Sequence, residues 1–358
     1  MSVSRLPEGG AGSLVKCVVW DLDNTLLRGI YLESLPQRPP ADPAMAGLLA
    51  KLGKRGIVHA IASKNPSEAA EYAAQATGCE FVAAECGWDR KSQSLARIAA
   101  VLNISVDALA FVDDDPYERA EVGSALPGVR VLSPEDAAEA VDWPEFSPAG
   151  VTAEARRRAD LYQRRRHRLD AEREFGGSRE EFLRACATQV TIAAAQDEDV
   201  PRLHELSERT SQFNSAGEAL SAESIRALIG SPARDVMTVR LQDCFADDGL
   251  VGGCVIDRRH VRVWTVPLLM MSCRAMGRGV IDALLTWLAR SAARQRAAAL
   301  QVPCARSDRN VPLRLALASA GFRACADQAA GGGRAVFRCE LGVPWPALPD
   351  WVSAPGGS

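Results

Sequence analysis

The sequence predicts an α/β protein of two domains, the first built on a parallel sheet and the second on a mixed sheet with helices. Three observations lead there. Over the first 135 residues short apolar runs alternate with helix-forming stretches, and from about Ser178 the pattern turns strand-rich. The length of 358 residues is enough for about two domains, each able to bury a core. With 47% apolar and 24% charged residues, the composition is that of a folded chain and excludes a disordered or collagen-like one.

In the first domain, Val15 to Trp20, Val58 to Ala62, Phe81 to Ala84, Leu109 to Val112 and Val129 to Leu132 read as buried strands. Pro43 to Arg55, Ser67 to Ala76, Gln93 to Leu102 and Pro116 to Ala125 read as the helices between them. Such alternation makes a parallel sheet covered on both faces, with active groups collecting at the carboxyl ends of its strands. A Pro-bearing stretch, Asp142-Trp-Pro-Glu-Phe-Ser-Pro, and a basic helix from Arg156 to Arg168 then read as a connector. Interspersed Asp160, Asp170, Glu172 and Glu174 favour a solvated linker helix over a docking surface for an acidic protein. Beyond it, strands are expected over 190–195, 236–241, 250–256, 261–269, 298–302 and 336–341, with helices over 279–294 and 311–320. The expected organisation is a first domain over 1–135, a linker over 136–177, a second domain over 178–345 and a flexible tail over 346–358. Gly331-Gly-Gly reads as a hairpin turn and Gly356-Gly-Ser as a frayed end.

The 42 Lys and Arg against 45 Asp and Glu leave a formal charge of -3, so no global basic field gathers nucleic acid or anionic lipid. No run approaches the roughly 18 apolar residues of a membrane helix. Met1 to Leu14 lacks a basic segment leading into an apolar one. The expectation is a cytoplasmic protein with neither a nucleic-acid nor a membrane partner. The ten cysteines include no C-x-x-C pair, which argues against a zinc knuckle or a disulfide framework. His59, His167, His204 and His260 lack partners at metal or triad spacing and read as structural or surface residues.

Asp21-Leu22-Asp23-Asn24-Thr25 directly follows an apolar strand. Two carboxylates two positions apart, just past a strand end, can approach one cation. A polar turn with a helix cap would use the same residues, but this motif has company. Ser63-Lys64-Asn65 ends the next strand, Lys91 follows Gly87-Trp88-Asp89-Arg90, and Asp113-Asp114-Asp115 ends a later one. All four sites fall at or near one edge of the predicted sheet. Trp88 reads as a packing or loop-anchoring residue.

This constellation resembles the haloacid dehalogenase-like (HAD-like) phosphatase superfamily, whose core domain is Rossmann-like. The resemblance implies that Asp21 is the nucleophile or phosphate-facing carboxylate and Asp23 the general acid/base. It places Ser63, with Lys64 and Asn65 beside it, on the substrate, and makes Lys91 the cation that neutralises the phosphate. It implies Mg2+ as cofactor, with Asp21, Asp23, Asp113 and Asp114 on the metal side. A metal ion and a lysine would offset phosphoryl charge while a carboxylate attacks in line. The stretch from Thr25 to Pro43 is short, so the cap is minimal and the cleft open, which suits a phosphate carried on, or passed to, something large.

In the second domain Ser272-Cys-Arg-Ala-Met-Gly-Arg-Gly279 follows a strand and opens a helix. Glycines there free backbone N–H groups for a phosphate, although a plain strand-to-helix turn has similar residues. With strand 298–302, Asn310 and a closing Gly321-Phe322 it resembles the acyl-CoA-binding core of the GCN5-related acetyltransferases (GNAT-like), which puts Arg274, Gly277 and Gly279 on the ligand. Leu317 stands where those enzymes commonly place a tyrosine acid, which speaks against ordinary amine acetylation.

Taken with Phe111-Val-Asp-Asp-Asp-Pro-Tyr-Glu-Arg119, Arg209-Thr-Ser-Gln-Phe-Asn214 and Met271 to Gly279, the chain is similar, from about Lys16 to Phe322, to the FkbH-like family of polyketide and nonribosomal peptide pathways. It departs from many relatives at Leu26-Leu27-Arg28-Gly29, where they carry Trp-Gly-Gly. The resemblance implies a small phosphorylated acyl donor such as 1,3-bisphosphoglycerate, removal of phosphate, and loading of the glyceryl unit onto the phosphopantetheine arm of an acyl carrier protein. The competing expectation is a plain phosphatase with a non-catalytic carrier- or CoA-binding domain. If loading runs through an enzyme thioester, Cys273 is the candidate, since it ends a strand and sits beside Arg274 and a helix N-terminus. Cys86, five residues before Lys91, is its rival, and simple packing beneath the turn is the bland alternative.

Overall fold

The computed structural model describes residues 14–148, 150–307, 309–325, 334–342 and 349–353. The chain divides into two units, Met1–Val151 and Thr152–Ser358. The residues expected to form a glycine turn at 331–333 and a frayed end at 356–358, and residues 1–13, lie outside the described residues.

Unit 1 runs β1 (Cys17–Trp20), α1 (Pro43–Lys54), β2 (Val58–Ser63), α2 (Ser67–Thr77), β3 (Phe81–Cys86), α3 (Lys91–Leu102), β4 (Leu109–Val112), α4 (Pro116–Ala125), β5 (Arg130–Leu132) and α5 (Pro134–Ala140). The strands lie in the order β3-β2-β1-β4-β5, all parallel. β1, β2 and β4 are buried along their whole length, as strands covered on both faces must be. Local signals set the helix ends. Asp42 and Asp115 cap α1 and α4, each with proline at the first helical position, and Ser133 with Asp136 forms a capping box on α5. His59, read as structural, accepts from Trp20 Nε1 at 3.2 Å and lies 3.0 Å from Leu49 O, to which its other nitrogen donates. Burial pushes its imidazole down to about 4.

Unit 2 contains α6 (Ala153–Arg156), α7 (Arg158–Glu174), α8 (Arg179–Ala185), β6 (Thr188–Ala194), α9 (Val200–Arg209), α10 (Ala222–Ile229), β7 (Arg234–Gln242), β8 (Asp247–Asp257) and β9 (Val263–Met271). It continues with α11 (Val280–Arg294), β10 (Ala299–Ala305), α12 (Val311–Ser319), β11 (Arg323–Cys325), β12 (Arg334–Glu340) and β13 (Val352–Ser353). The sheet order is β11-β12-β10-β9-β8-β7-β6-β13, with β9 and β10 parallel and β7, β8 and β9 antiparallel. The apolar face of α11, with Val280, Leu284 and Leu288 fully buried, packs into the core that Val239, Val251 and Leu269 also join. The protein is thus mixed α/β, with one parallel five-stranded sheet and one mixed eight-stranded sheet.

The stretch read as a linker over 136–177 is shared between the units. Ala137, Ala140, Val141 and Phe146 join the core of unit 1. The basic helix α7 belongs to unit 2 and buries Arg158, Leu161, Tyr162 and Arg168. These positions recur at helical spacing on one face, and counting arginines as solvated hid that stripe. In the region read as a flexible tail, Val352 pairs with Thr188 of β6. Among the described residues, no helix is long and apolar enough to cross a membrane.

Candidate functional site

In unit 1 the chain lays β2 and β3 to one side of β1 and β4 and β5 to the other, so the strand order reverses between β1 and β4. Crevices at such a reversal, outside the carboxyl ends of the strands, are where ligands bind in open α/β sheets. Asp21 follows β1 and Asp113 follows β4, and Asp21 N donates to Val112 O at 2.9 Å, which locks the two strand ends together.

One carboxylate oxygen each from Asp21, Asp113 and Asp114 lie within 4.8 Å of one another. Asp21 and Asp113 are buried, Asp114 exposed. Lys91, the first residue of α3 and only 3% exposed, ion-pairs with Asp21, lies 3.1 Å from Asp113 Oδ2 and donates to Ala62 O at 2.6 Å. Burial pushes the Asp21 carboxyl up to about 7, against the pull of Lys91 and with the help of the Asp113 charge. Burial raises Asp113 as well. Burial works against the Lys91 charge, but the two carboxylates outweigh it and hold the ammonium above its ordinary value.

Asp113 Oδ2 is buried against the Lys91 ammonium, and the donor set is three carboxylates. Three hard carboxylate oxygens, against which one ammonium, Lys91, supplies a single positive charge, fit Mg2+. Asp23 lies outside this trio. Its two oxygens accept from Tyr31 N–H at 2.8 Å and from Asn65 Nδ2 at 2.9 Å, and the same Asn65 nitrogen lies 3.0 Å from Ser63 Oγ.

Of the residues expected here, Asp21, Asp23, Ser63, Asn65, Lys91, Asp113 and Asp114 share the sheet edge. Lys64 ion-pairs with Glu118 of α4. Sequence reasoning passed over Thr25, whose hydroxyl accepts from Asp114 N–H at 3.0 Å, and Arg119, whose Nη1 donates to the carbonyls of Asp113 and Asp114, each at 2.7 Å. Both stand inside quoted motifs, so their positions were visible while their partners were not. Trp88, read as a packing or loop-anchoring residue, is 75% exposed on the loop before α3. Cys86 is half-buried, and burial and Glu85 raise its thiol, which opposes a thiolate there.

In unit 2 Cys273, half-buried, begins the short turn between β9 and α11. Gly277 and Gly279 adopt φ of 73° and 76°, the left-handed region glycine favours, and no side chain caps α11. The turn is not bare. A Cβ on Gly279 would lie 2.8 Å from Val352 Cγ2 and 3.1 Å from Trp351 Nε1, and one on Gly277 3.0 Å from Arg179 Nη2. A cleft of about 340 Å3 beside it is lined by Arg179, Leu183, Phe213, Met276 and Trp351. The Arg274 side chain lines a separate crevice facing α7. Leu317 is fully buried in the core.

No protein-family model matches the chain, and no curated protein matches it. Among solved structures, the N-terminal part of the protein BF1531 from Bacteroides fragilis, containing a phosphatase domain and complexed with Mg, is 28% identical over 38% of this chain, with a TM-score of 0.32. The match spans 39% of that structure. The GNAT domain of S. lividans PAT is 16% identical over 42% of this chain and 89% of its own, with a TM-score of 0.34. The ribosomal-protein-S18-alanine N-acetyltransferase of Escherichia coli is 13% identical over 44% of this chain and 98% of its own, again at 0.34.

Proposed function

We propose that unit 1 is a magnesium-dependent, HAD-like phosphatase site acting on a small phosphorylated acyl donor, and that the whole chain passes the acyl unit to the thiol of an acyl carrier protein. The observation that carries the reading is one buried ammonium, Lys91, shared by Asp21 and Asp113 beside a third carboxylate. Such a lysine would meet a phosphate's charge at the carboxylates' edge. Asp21, Asp113 and Asp114 would hold Mg2+, which supplies further positive charge to the phosphoryl oxygens.

Asp21 then attacks phosphorus. The Asp21 O–P bond forms as the bond to the leaving oxygen breaks, and Asp23 gives that oxygen its proton. Asp23 next takes a proton from the water that cleaves the aspartyl-phosphate, releasing inorganic phosphate. Asn65 and the Tyr31 amide hold Asp23 in place for both transfers.

The phosphate taken by Asp21 is the donor's ester phosphate, so the acyl phosphate is kept for loading: a thiol, the carrier's directly or that of Cys273 first, loses its proton and attacks the acyl carbon, the C–S bond forming as the C–O bond to phosphate breaks and phosphate leaves. The test is intact-protein mass of a phosphopantetheinylated carrier incubated with the protein, Mg2+ and 1,3-bisphosphoglycerate. A carrier heavier by one glyceryl unit supports the reading, and an unchanged carrier overturns it.

A second reading, a phosphatase with a non-catalytic second unit, draws support from Leu317 in the core and from Val352 and Trp351 against Gly279. It requires phosphate release at the same rate with and without a thiol acceptor.

A further inference from the structure

The helix α3 opens on Lys91 without a cap from its own chain segment. Arg90, the residue before it, makes no capping hydrogen bond with its side chain, and the first turn carries no acidic residue. The first N–H groups of a helix have no partners within it, so an uncapped first turn is loosely held. Here that turn begins with the ammonium that Asp21 and Asp113 share, where looseness would blur the site.

The missing cap comes from another helix. Glu121 of α4 accepts from Ser92 N–H at 3.1 Å through Oε2 and from Ser92 Oγ at 2.5 Å through Oε1. Both oxygens of one carboxylate thus hold the residue next to Lys91, and its negative charge suits the positive end of the α3 dipole. The same helix also grips the loops that carry the other site residues. Arg119 donates to the carbonyls of Asp113 and Asp114, and Glu118, one turn before Glu121, ion-pairs with Lys64 beside Ser63. The 3.1 Å between Lys91 Nζ and Asp113 Oδ2 therefore joins two residues whose backbones are braced from neighbouring turns of α4.

We propose that Glu121 is a positioning residue that acts through Lys91: by capping α3 from α4 it fixes the ammonium between Asp21 and Asp113. Glutamine at this position would keep both contacts, its Oε1 accepting from the Ser92 amide and its Nε2 donating to the hydroxyl, whereas alanine would lose both.

The test has two arms on the full-length protein. In the first, the protein without metal or substrate is treated briefly with acetic anhydride, and peptide mass gives the acetylation of Lys91 relative to the exposed Lys51. The ratio should rise about fivefold in Glu121→Ala, where the first turn loses its cap, and stay at the wild-type level in Glu121→Gln. Should Glu121→Ala not fold, Ser92→Ala, which removes the hydroxyl contact alone, should raise the ratio by a smaller factor. In the second arm, which rests on the phosphatase reading, a phosphate monoester is turned over at saturating Mg2+. Glu121→Ala should raise KM roughly threefold to tenfold and change kcat by less than about twofold, because Lys91 meets charge present in the ground state too. In the Lys91→Met background the same substitution should add nothing, since two residues that act through one interaction are not additive. A wild-type protein that releases no phosphate would sink the phosphatase reading alone and leave the acetylation arm to decide the role of Glu121. Unchanged Lys91 acetylation in Glu121→Ala or in its substitute Ser92→Ala, glutamine behaving like alanine, or a full KM effect persisting in Lys91→Met would overturn the proposal.

Discussion

Asn65 Nδ2 ties two functional residues together, donating to Asp23 Oδ2 at 2.9 Å and lying 3.0 Å from Ser63 Oγ, while Asn65 itself is 2% exposed. A residue placed this way acts through Asp23, so its loss should show where proton donation matters most. Asn65→Ala is expected to lower kcat by roughly tenfold for an alkyl phosphate, whose leaving oxygen needs a proton, and far less for p-nitrophenyl phosphate, within the range general acid help spans. Equal loss on both substrates would make Asn65 merely structural. Lys91→Met removes the cation that neutralises two buried carboxylates, and its main expected effect is a raised KM for phosphorylated substrates, because the charge it meets is present in the ground state too. Steady-state kinetics at saturating Mg2+ checks this. The acids were legible in the sequence because each follows an apolar strand, and Lys91 through the family resemblance. The amide link from Asn65 to Asp23 was not, since it joins side chains from the ends of two different strands.

At the scale of elements, α7 shows what composition conceals. Its arginines looked solvated, yet Arg158 turns inward to Glu205 of α9, which also takes Arg202 and the Thr152 hydroxyl. Burial alone would raise the Glu205 carboxyl, but Arg202 and Arg158 hold it down at about 2, below its usual value of 4.5. A depressed carboxylate contributes stability that is fully present above its unfolded value and lost as pH falls toward its folded one. The melting temperature of unit 2 should therefore decline as pH drops from about 4.5 toward 2, and Glu205→Gln should flatten that decline. At neutral pH the same variant should cost about 3–5 kcal/mol, because it strands two buried guanidiniums. Denaturant unfolding at pH 7 measures it. The strands and the long helix α11 were readable from hydrophobic period, whereas α8, α9 and α10 escaped because short helices carry few turns of pattern.

For the whole molecule, every residue of the acid cluster and its supports lies within unit 1, while Cys273 and the glycine turn lie within unit 2. The two sets are therefore expected to fail independently. Cys273→Ala should leave phosphate release from a phosphate monoester unchanged and abolish carrier loading if the acyl unit passes through that thiol, and loading that survives would mean direct transfer. Division into an early parallel and a late mixed domain was legible from the change in strand spacing. The place of division was not, because Ala137 to Phe146 read as connector by their prolines yet pack into the first core.

The central claim is that Asp21 is the phosphoryl-accepting carboxylate of this site, and peptide mass after acid quench tests it most directly. The protein is mixed with Mg2+ and a phosphate monoester, stopped within the first turnover, and digested. The account predicts the mass of one phosphoryl group on the peptide carrying Asp21, enriched in Asp23→Asn, which slows the hydrolysis step, and absent in Asp21→Asn along with all phosphate release. Phosphate released at the full rate by Asp21→Asn, or the phosphoryl mass on any other residue, would contradict it.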